Sequence, residues 1–378
     1  MNGQLDINRY VLRPKTKADA ALLRKKKGIS AVVPLDDYLH ITNLPFKMTP
    51  EVMLDAAFWA QSQSSYQEAE EAIFRARKLK INDDTVRQVT DYIGNIVFQE
   101  DCEKANTVFD RLNSGKLHFP TRKKKGVLYI ETDGAAVNTR SKDESGSSWR
   151  ENKLGIVFSS DNIYTWTNQK GERQSQINKR EYTSYIGSVA EFKKHLLSCA
   201  LKNGYGSYER TVFLSDGATW IRNVREELFP DAQQILDFFH LCENVNTYAK
   251  FMFGAEAAQY SAWANRMCAF LRDSQWGKVL DDLSGRKNLP GCPVDLYGYI
   301  TNNLANIDYK NYIEAGYYIG SGAIESGNKS VLQQRLKQAG MRWNVETAQP
   351  MLTLRAKYKS GLWVPEVERP ILDLLHRV

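Results

Sequence analysis

A chain of 378 residues with 42% hydrophobic and 11% aromatic content can bury a substantial core, which excludes disorder as its dominant state and predicts two or three domains. No window approaches the roughly 18 uninterrupted apolar residues of a spanning helix, and the N-terminus lacks the apolar stretch of a signal peptide, so the expectation is a soluble, cytoplasmic protein with no membrane partner. Lys and Arg number 51 against 44 Asp and Glu, a net +7, of which residues 1–30 supply +6: Arg9, Arg13, Lys15, Lys17, Arg24, Lys25, Lys26 and Lys27 against Asp6 and Asp19.

In chain order, residues 1–44 read as a basic arm, the electrostatic footprint of a chain that touches phosphate backbones, although solvated tails share it. Residues 45–112 read as a helical domain. Thr49-Pro50-Glu51 suits a helix start, Ser65 with Glu68 forms a capping box, and Asn82-Asp83-Asp84 opens a third, giving three short helices within 50–105. The last pair, broken around Lys80-Ile81-Asn82, reads either as a helix-turn-helix showing Thr85, Arg87 and Gln88 to DNA or as ordinary helical packing.

Residues 113–126 combine turn formers with the run Arg122-Lys123-Lys124-Lys125 and read as a basic linker. After it come three β-rich runs, Val127 to Thr132, Lys153 to Ser159 and Ser175 to Tyr182. A helix from Val189 to Leu201, a strand from Thr211 to Ser215, a helix marked by Trp220, Val224 and Leu228, and a strand from Gln234 to Phe238 follow. The fold class expected is α/β: an RNase H-like mixed sheet flanked by helices over 127–240, interrupted by an all-helical insertion over 241–315 and completed by 316–378 with a C-terminal tail. The cysteines Cys102, Cys199, Cys242, Cys268 and Cys292 are scattered and never spaced Cys-x-x-Cys, so buried reduced thiols are expected and not a disulfide framework or zinc ribbon.

Two aspartates occupy matching settings. Asp133 closes Val-Leu-Tyr-Ile-Glu-Thr-Asp-Gly and Asp216 closes Thr-Val-Phe-Leu-Ser-Asp-Gly, each a carboxylate expected at a strand end before a glycine that permits a sharp turn. Simple Asp-Gly turns give the same pattern at a single site; two in one context point to carboxylates that converge and share a hard divalent cation such as Mg²⁺. A third carboxylate, Glu325, follows Gly320-Ser321-Gly322 at a helix start. On a regular wheel it leads the core-facing stripe of Leu332 and Leu336, in a helix expected to run to Gly340. The other reading is a first-turn glutamate favoured by the helix dipole. Lys329, Arg335, Lys337, Arg342 and Trp343 then offer cations and an aromatic suited to phosphates and an unpaired base, or a solvated basic face.

The blocks Glu131-Thr132-Asp133-Gly134, Ser215-Asp216-Gly217-Ala218-Thr219-Trp220-Ile221 with Phe229-Pro230 and Asp237-Phe238-Phe239-His240, and Gly320 to Glu325 with Gln334-Arg335-Leu336-Lys337 and Gly340-Met341-Arg342-Trp343 resemble bacterial insertion-sequence transposases of the DDE class. The resemblance is nearest to the ISKra-type group, with echoes of the ISLre-type group, and spans roughly residues 33 to 363 by eye. It implies an RNase H-like core with Asp133, Asp216 and Glu325 as catalytic and metal-binding triad, two Mg (or Mn) ions, double-stranded DNA at transposon ends and target as partner, a homo-oligomer on that DNA, and a nucleoid-associated place in a bacterial cytoplasm. It also implies that Asp237 and His240 support the site or the DNA, while a core histidine remains the alternative for His240. Relatives of this kind often have a cysteine-bearing segment ahead of a stretch like Pro34-Leu35-Asp36; here that segment has no cysteine, which puts an end-binding module of that kind in question. Two further readings compete with the transposase: a non-catalytic DNA-binding relic, and an RNase H-like nuclease without strand transfer.

Overall fold

The computed structural model describes residues 10–27, 31–39, 41–171, 173–256, 258–286 and 289–376. Arg9 and Asp6 of the basic arm, with residues 28–30, lie outside the described residues. The chain divides into two compact units, one of Met1–Asp101, Asn138–Ser148 and Val331–Val378, the other of Cys102–Val137 and Trp149–Ser330.

The first unit is helical. Pro50–Ser62 starts with proline in its first turn after Thr49, and Tyr66–Arg77 starts at Ser65, whose Oγ accepts from Glu68 N at 3.0 Å. The Glu68 carboxylate reaches back to Ser64 N and Oγ rather than to Ser65, one residue off the expected box. Lys78 in the left-handed region (φ 59) ends that helix. Asn82 Oδ1 accepts from Thr85 N and opens the third helix, which is not short: it runs Asp83–Asn113, belonging to this unit up to Asp101, because nothing stronger than Gly94 interrupts its sequence. Within it Arg87 pairs with Asp84 and Asp91, and Gln88 Nε2 donates to Asp84 at 2.7 Å. Val345–Lys359 and Arg369–Leu375 pack on Pro50–Ser62, burying Met53, Leu54, Leu352 and Ile371.

The second unit is built on a five-stranded mixed sheet flanked by helices. Its strands are β1 (Lys124–Asn138), β2 (Trp149–Ser159), β5 (Glu181–Ile186), β6 (Tyr208–Ser215) and β7 (Gln233–Leu236), while β3 (Ile163–Thr167) and β4 (Arg173–Ile177) form a separate antiparallel ribbon. The order is β5-β2-β1-β6-β7, with β2 and β5 antiparallel and β1, β6 and β7 parallel. The run expected as one strand from Ser175 to Tyr182 is two: it bends at residues 178–180, so its polarity alternation crosses from the ribbon into the sheet. The basic segment 113–126 lies inside this unit, and Lys124 and Lys125 already belong to β1.

Alternation along the strands sends Leu128, Ile130 and Phe213 into a core shared with Phe192 and Leu196 of Val189–Lys202, Ile221 and Val224 of Thr219–Leu228, and Val108 and Phe109 of the long helix. Tyr129 and Glu131 point the other way, where Tyr129 stacks with Phe158 and meets Tyr318 edge-on. After β7 the chain continues in helices Phe238–Phe253, Ala258–Arg272, Trp276–Leu283, Leu296–Asn302 and Tyr309–Glu314. Trp263 is buried there, Phe270 half-buried and Trp276 exposed. Among the described residues no helix is long and apolar enough to cross a membrane.

Candidate active site

Register places the first two candidate carboxylates. β1 and β6 run in parallel with Glu131 opposite Leu214, so Asp133 and Asp216, each two residues further on, stand level on neighbouring strands and on the same face. β7 extends the row: Ser215 lies opposite Leu236, which brings Asp237 level with Asp216. The two Asp-Gly pairs differ in detail. Gly217 has φ +86 and turns the chain out of β6, but β1 continues through Gly134 to Asn138, so Asp133 lies within a strand and not at its end.

Asp133 Oδ1 accepts from Gly134 N at 2.7 Å and Oδ2 from Asn328 Nδ2 at 2.6 Å. Burial raises its pKa; the Gly134 N–H opposes this, the negative charges of Asp216 and Glu325 raise it further, and His240 lowers it. The three carboxylates thus share one electrostatic neighbourhood. Asp216 Oδ1 accepts from Ala218 N at 2.9 Å, and Tyr299 Oη donates to the Asp216 carbonyl at 2.5 Å.

Glu325 stands in the first turn of the helix Gly322–Gly327 and is exposed; the residues facing inward are Ile324, Gly327, Asn328 and Val331. The expected core-facing stripe led by Glu325 is therefore corrected. The helix passes at Asn328–Gln333 into π turns, which advance less per residue than α turns, so a wheel drawn at 100° loses phase before Leu332 and Leu336, and helical structure stops at Leu336. Among the described residues no three His, Cys, Asp or Glu side chains are gathered closely enough to enclose an ion. The donor chemistry nevertheless fits a hard divalent cation: three oxygen donors of like charge, whose repulsion is registered at Asp133.

Asp237 is fully buried and fully engaged. Oδ1 accepts from Phe239 N at 2.7 Å and His240 N at 3.2 Å, capping Phe238–Phe253, while Oδ2 accepts from Ser321 N at 3.2 Å and from the Ser321 hydroxyl. His240 is half-buried rather than in the core, with Nδ1 3.7 Å from Glu243 Oε2. Glu131, passed over among the motif residues, is 1% exposed, and its Oε2 accepts from Ile324 N at 2.9 Å. Burial, with Asp237 and Glu325 nearby, pushes its carboxyl up to about 8. Glu131 and Asp237 thereby hold the backbone that leads into Glu325. Asn328 and Tyr299 were likewise not singled out, since neither belongs to a local pattern. The one available signal was the acid two residues before Asp133, which the period of a strand puts on the same face.

The uncharacterised protein family UPF0236 matches residues 30–252, more than half of the chain. The chain belongs to this family. The UPF0236 match takes in Asp133, Asp216, Asp237 and His240 and ends before Glu325. No curated protein matches the chain.

In this UPF0236 chain the basic candidates separate by exposure. Lys329, in the unit of the acids, is exposed, as are Lys337 and Arg342 in the other unit. Arg335 and Trp343, expected as DNA contacts, are buried: Arg335 is 1% exposed, donates through Nε to Ala60 O at 3.0 Å and through a terminal nitrogen to Ser64 O at 3.1 Å, and lies between the rings of Tyr66 and Trp343 at 4.6 and 5.0 Å. A guanidinium tied to two carbonyls and two aromatic faces holds its own unit together and is not presented to phosphate.

Proposed function

We propose that the chain is a DDE transposase with an RNase H-like core, cleaving and joining DNA at the ends of an insertion sequence as a homo-oligomer on double-stranded DNA. The observation that carries the reading is the level placement of Asp133 and Asp216 on adjacent parallel strands, with the charge of Glu325 near enough to act on Asp133. The sheet order β5-β2-β1-β6-β7, with β6 and then β7 parallel to β1, supports the core assignment.

Asp133, Asp216 and Glu325 would hold two Mg²⁺ or Mn²⁺ ions, which when bound would activate the attacking hydroxyl and neutralise charge on the leaving oxygen. The chain's own part is placement. Gly134 N–H and Asn328 orient Asp133, Ala218 N–H orients Asp216, and Tyr299 fixes the backbone that bears it. Glu131 and Asp237 anchor the turn that presents Glu325. In the cleavage step water attacks phosphorus in line and the bond to the 3′ oxygen breaks, leaving a 3′ hydroxyl and a 5′ phosphate; in joining, that hydroxyl is the nucleophile. No covalent protein intermediate is required.

The test uses purified chain, labelled fragments bearing either end of the DNA segment that encodes it, and a supercoiled target, with and without Mg²⁺. Cleavage and joining that both need the ion are expected. Glu325→Gln should retain DNA binding and the thermal midpoint while cleavage falls by orders of magnitude. Cleavage without joining would make the protein a nuclease, and DNA binding with no cutting under any divalent ion would make it a relic.

A further inference from the structure

At the end of the sheet opposite the carboxylates stands a feature the reading above does not use. Val127 N, at the start of β1, donates to Ser160 Oγ at 3.0 Å, and Tyr208 Oη, at the start of β6, donates to Asp161 Oδ2 at 3.1 Å, so the β3–β4 ribbon leaves the sheet where β1 and β6 begin. Asp133 lies six residue steps along β1 from Val127, about 20 Å of extended chain. On one face of β3, Tyr164 (59% exposed) and Trp166 (38% exposed) stack at 5.7 Å and 22°, each opposite an exposed glutamine of β4, Gln176 and Gln174. Such a ribbon has little reason to spend two aromatics in water, since two strands without a third or a helix are marginal by themselves.

The surroundings discriminate between occupants. An apolar protein partner is met by a contiguous apolar patch, whereas these two rings stand opposite glutamines. Residues 162–180 hold Lys170, Arg173, Lys179 and Arg180 against Glu172, a net +3. Arg122, Lys123, Lys124 and Lys125, all exposed, lie at the start of the neighbouring β1, where Lys124 N donates to Ser207 O at 2.9 Å. Paired rings give a base a π-face to stack on irrespective of its identity, and a basic flank tracks the phosphates.

We infer that the β3–β4 ribbon is a DNA-docking arm, with Tyr164 and Trp166 stacking on unpaired bases and the Arg122–Lys125 run holding the adjoining backbone. The inference goes beyond the proposed chemistry and rests on that reading only for the choice of DNA over RNA. Anisotropy titrations of the full chain with a labelled single strand, its duplex and the RNA of the same sequence test it. The double variant Tyr164→Ala, Trp166→Ala should bind the single DNA strand at least tenfold more weakly and the duplex less than threefold more weakly, with an unchanged thermal midpoint, and the Phe pair should restore most of the loss. Single-stranded DNA should quench tryptophan emission in the wild type and much less in Trp166→Phe. Unchanged single-strand affinity in a folded double variant, an equal loss on duplex, or tighter binding of RNA than of DNA would overturn the inference. Dissociation of an oligomer in sedimentation with DNA affinity intact would instead assign the ribbon to a contact between copies. Failure of the wild type to cut DNA would sink the transposase reading and leave this one standing.

Discussion

Glu131 shows how much a single buried carboxyl can set. The fold keeps it protonated up to about 8, whereas a carboxyl in the unfolded chain ionises near 4.5. Between those values the folded state binds the extra proton, so stability is highest below the window and falls as pH rises through it. The thermal midpoint of the wild type should therefore drop between pH 5 and pH 9 by clearly more than that of Glu131→Gln, which offers an oxygen to Ile324 N without ionising; equal drops would show that Glu131 is not the group responsible. Arg335 makes the complementary point, because its charge is spent on carbonyls and rings within its own unit. Residue type and spacing made it a plausible phosphate ligand, and only the neighbours that enclose it decide otherwise.

At the scale of elements, two starts meet at one carboxylate. Asp237 caps Phe238–Phe253 with one oxygen and holds Ser321, ahead of Gly322–Gly327, with the other. Asp237→Ala removes a cap and strands the buried Ser321 donors, a loss of about 2–4 kcal/mol in a denaturant titration. Asp237→Asn keeps one accepting oxygen and should lose less than half of that. Amide exchange should quicken at 319–326 in the alanine variant, and unaltered protection there would show that the turn is held by something else. The main strands and the helices beside them were legible because a buried strand or an amphipathic helix writes its period into a dozen neighbouring residues. The ribbon was not, because β3 and β4 have no buried face to mark them, and the side of β3 that meets water carries Tyr164 and Trp166 in place of polar residues, so the usual alternation is reversed. Nor was the π stretch, whose only trace is a wheel that falls out of step.

For the molecule as a whole, the +7 charge is unevenly placed, with +6 in residues 1–30. Deleting that segment should weaken duplex binding for all sequences alike and flatten the dependence of log affinity on log salt, since each lost phosphate contact lowers the slope by about 0.9. A deletion with an unaltered slope would show that the segment makes no such contact.

By itself the sequence determined the α/β class, the chain order of the main elements and the pair of Asp-Gly motifs, because strand period, capping residues and turn glycines act over a few neighbouring positions. The tertiary structure decided what depends on distant partners. Parallel pairing of β1 with β6 set Asp133 level with Asp216, a match between residues 83 positions apart that no local pattern encodes. Packing buried Arg335 and Trp343, turned Glu325 to solvent, brought Glu131 and Asp237 against the segment from Ser321 onward, and set Asn328 against Asp133. Local sequence writes backbone preference and periodicity, while the desolvation and hydrogen bonding that give a charged side chain its role come from whichever segments the fold lays against it.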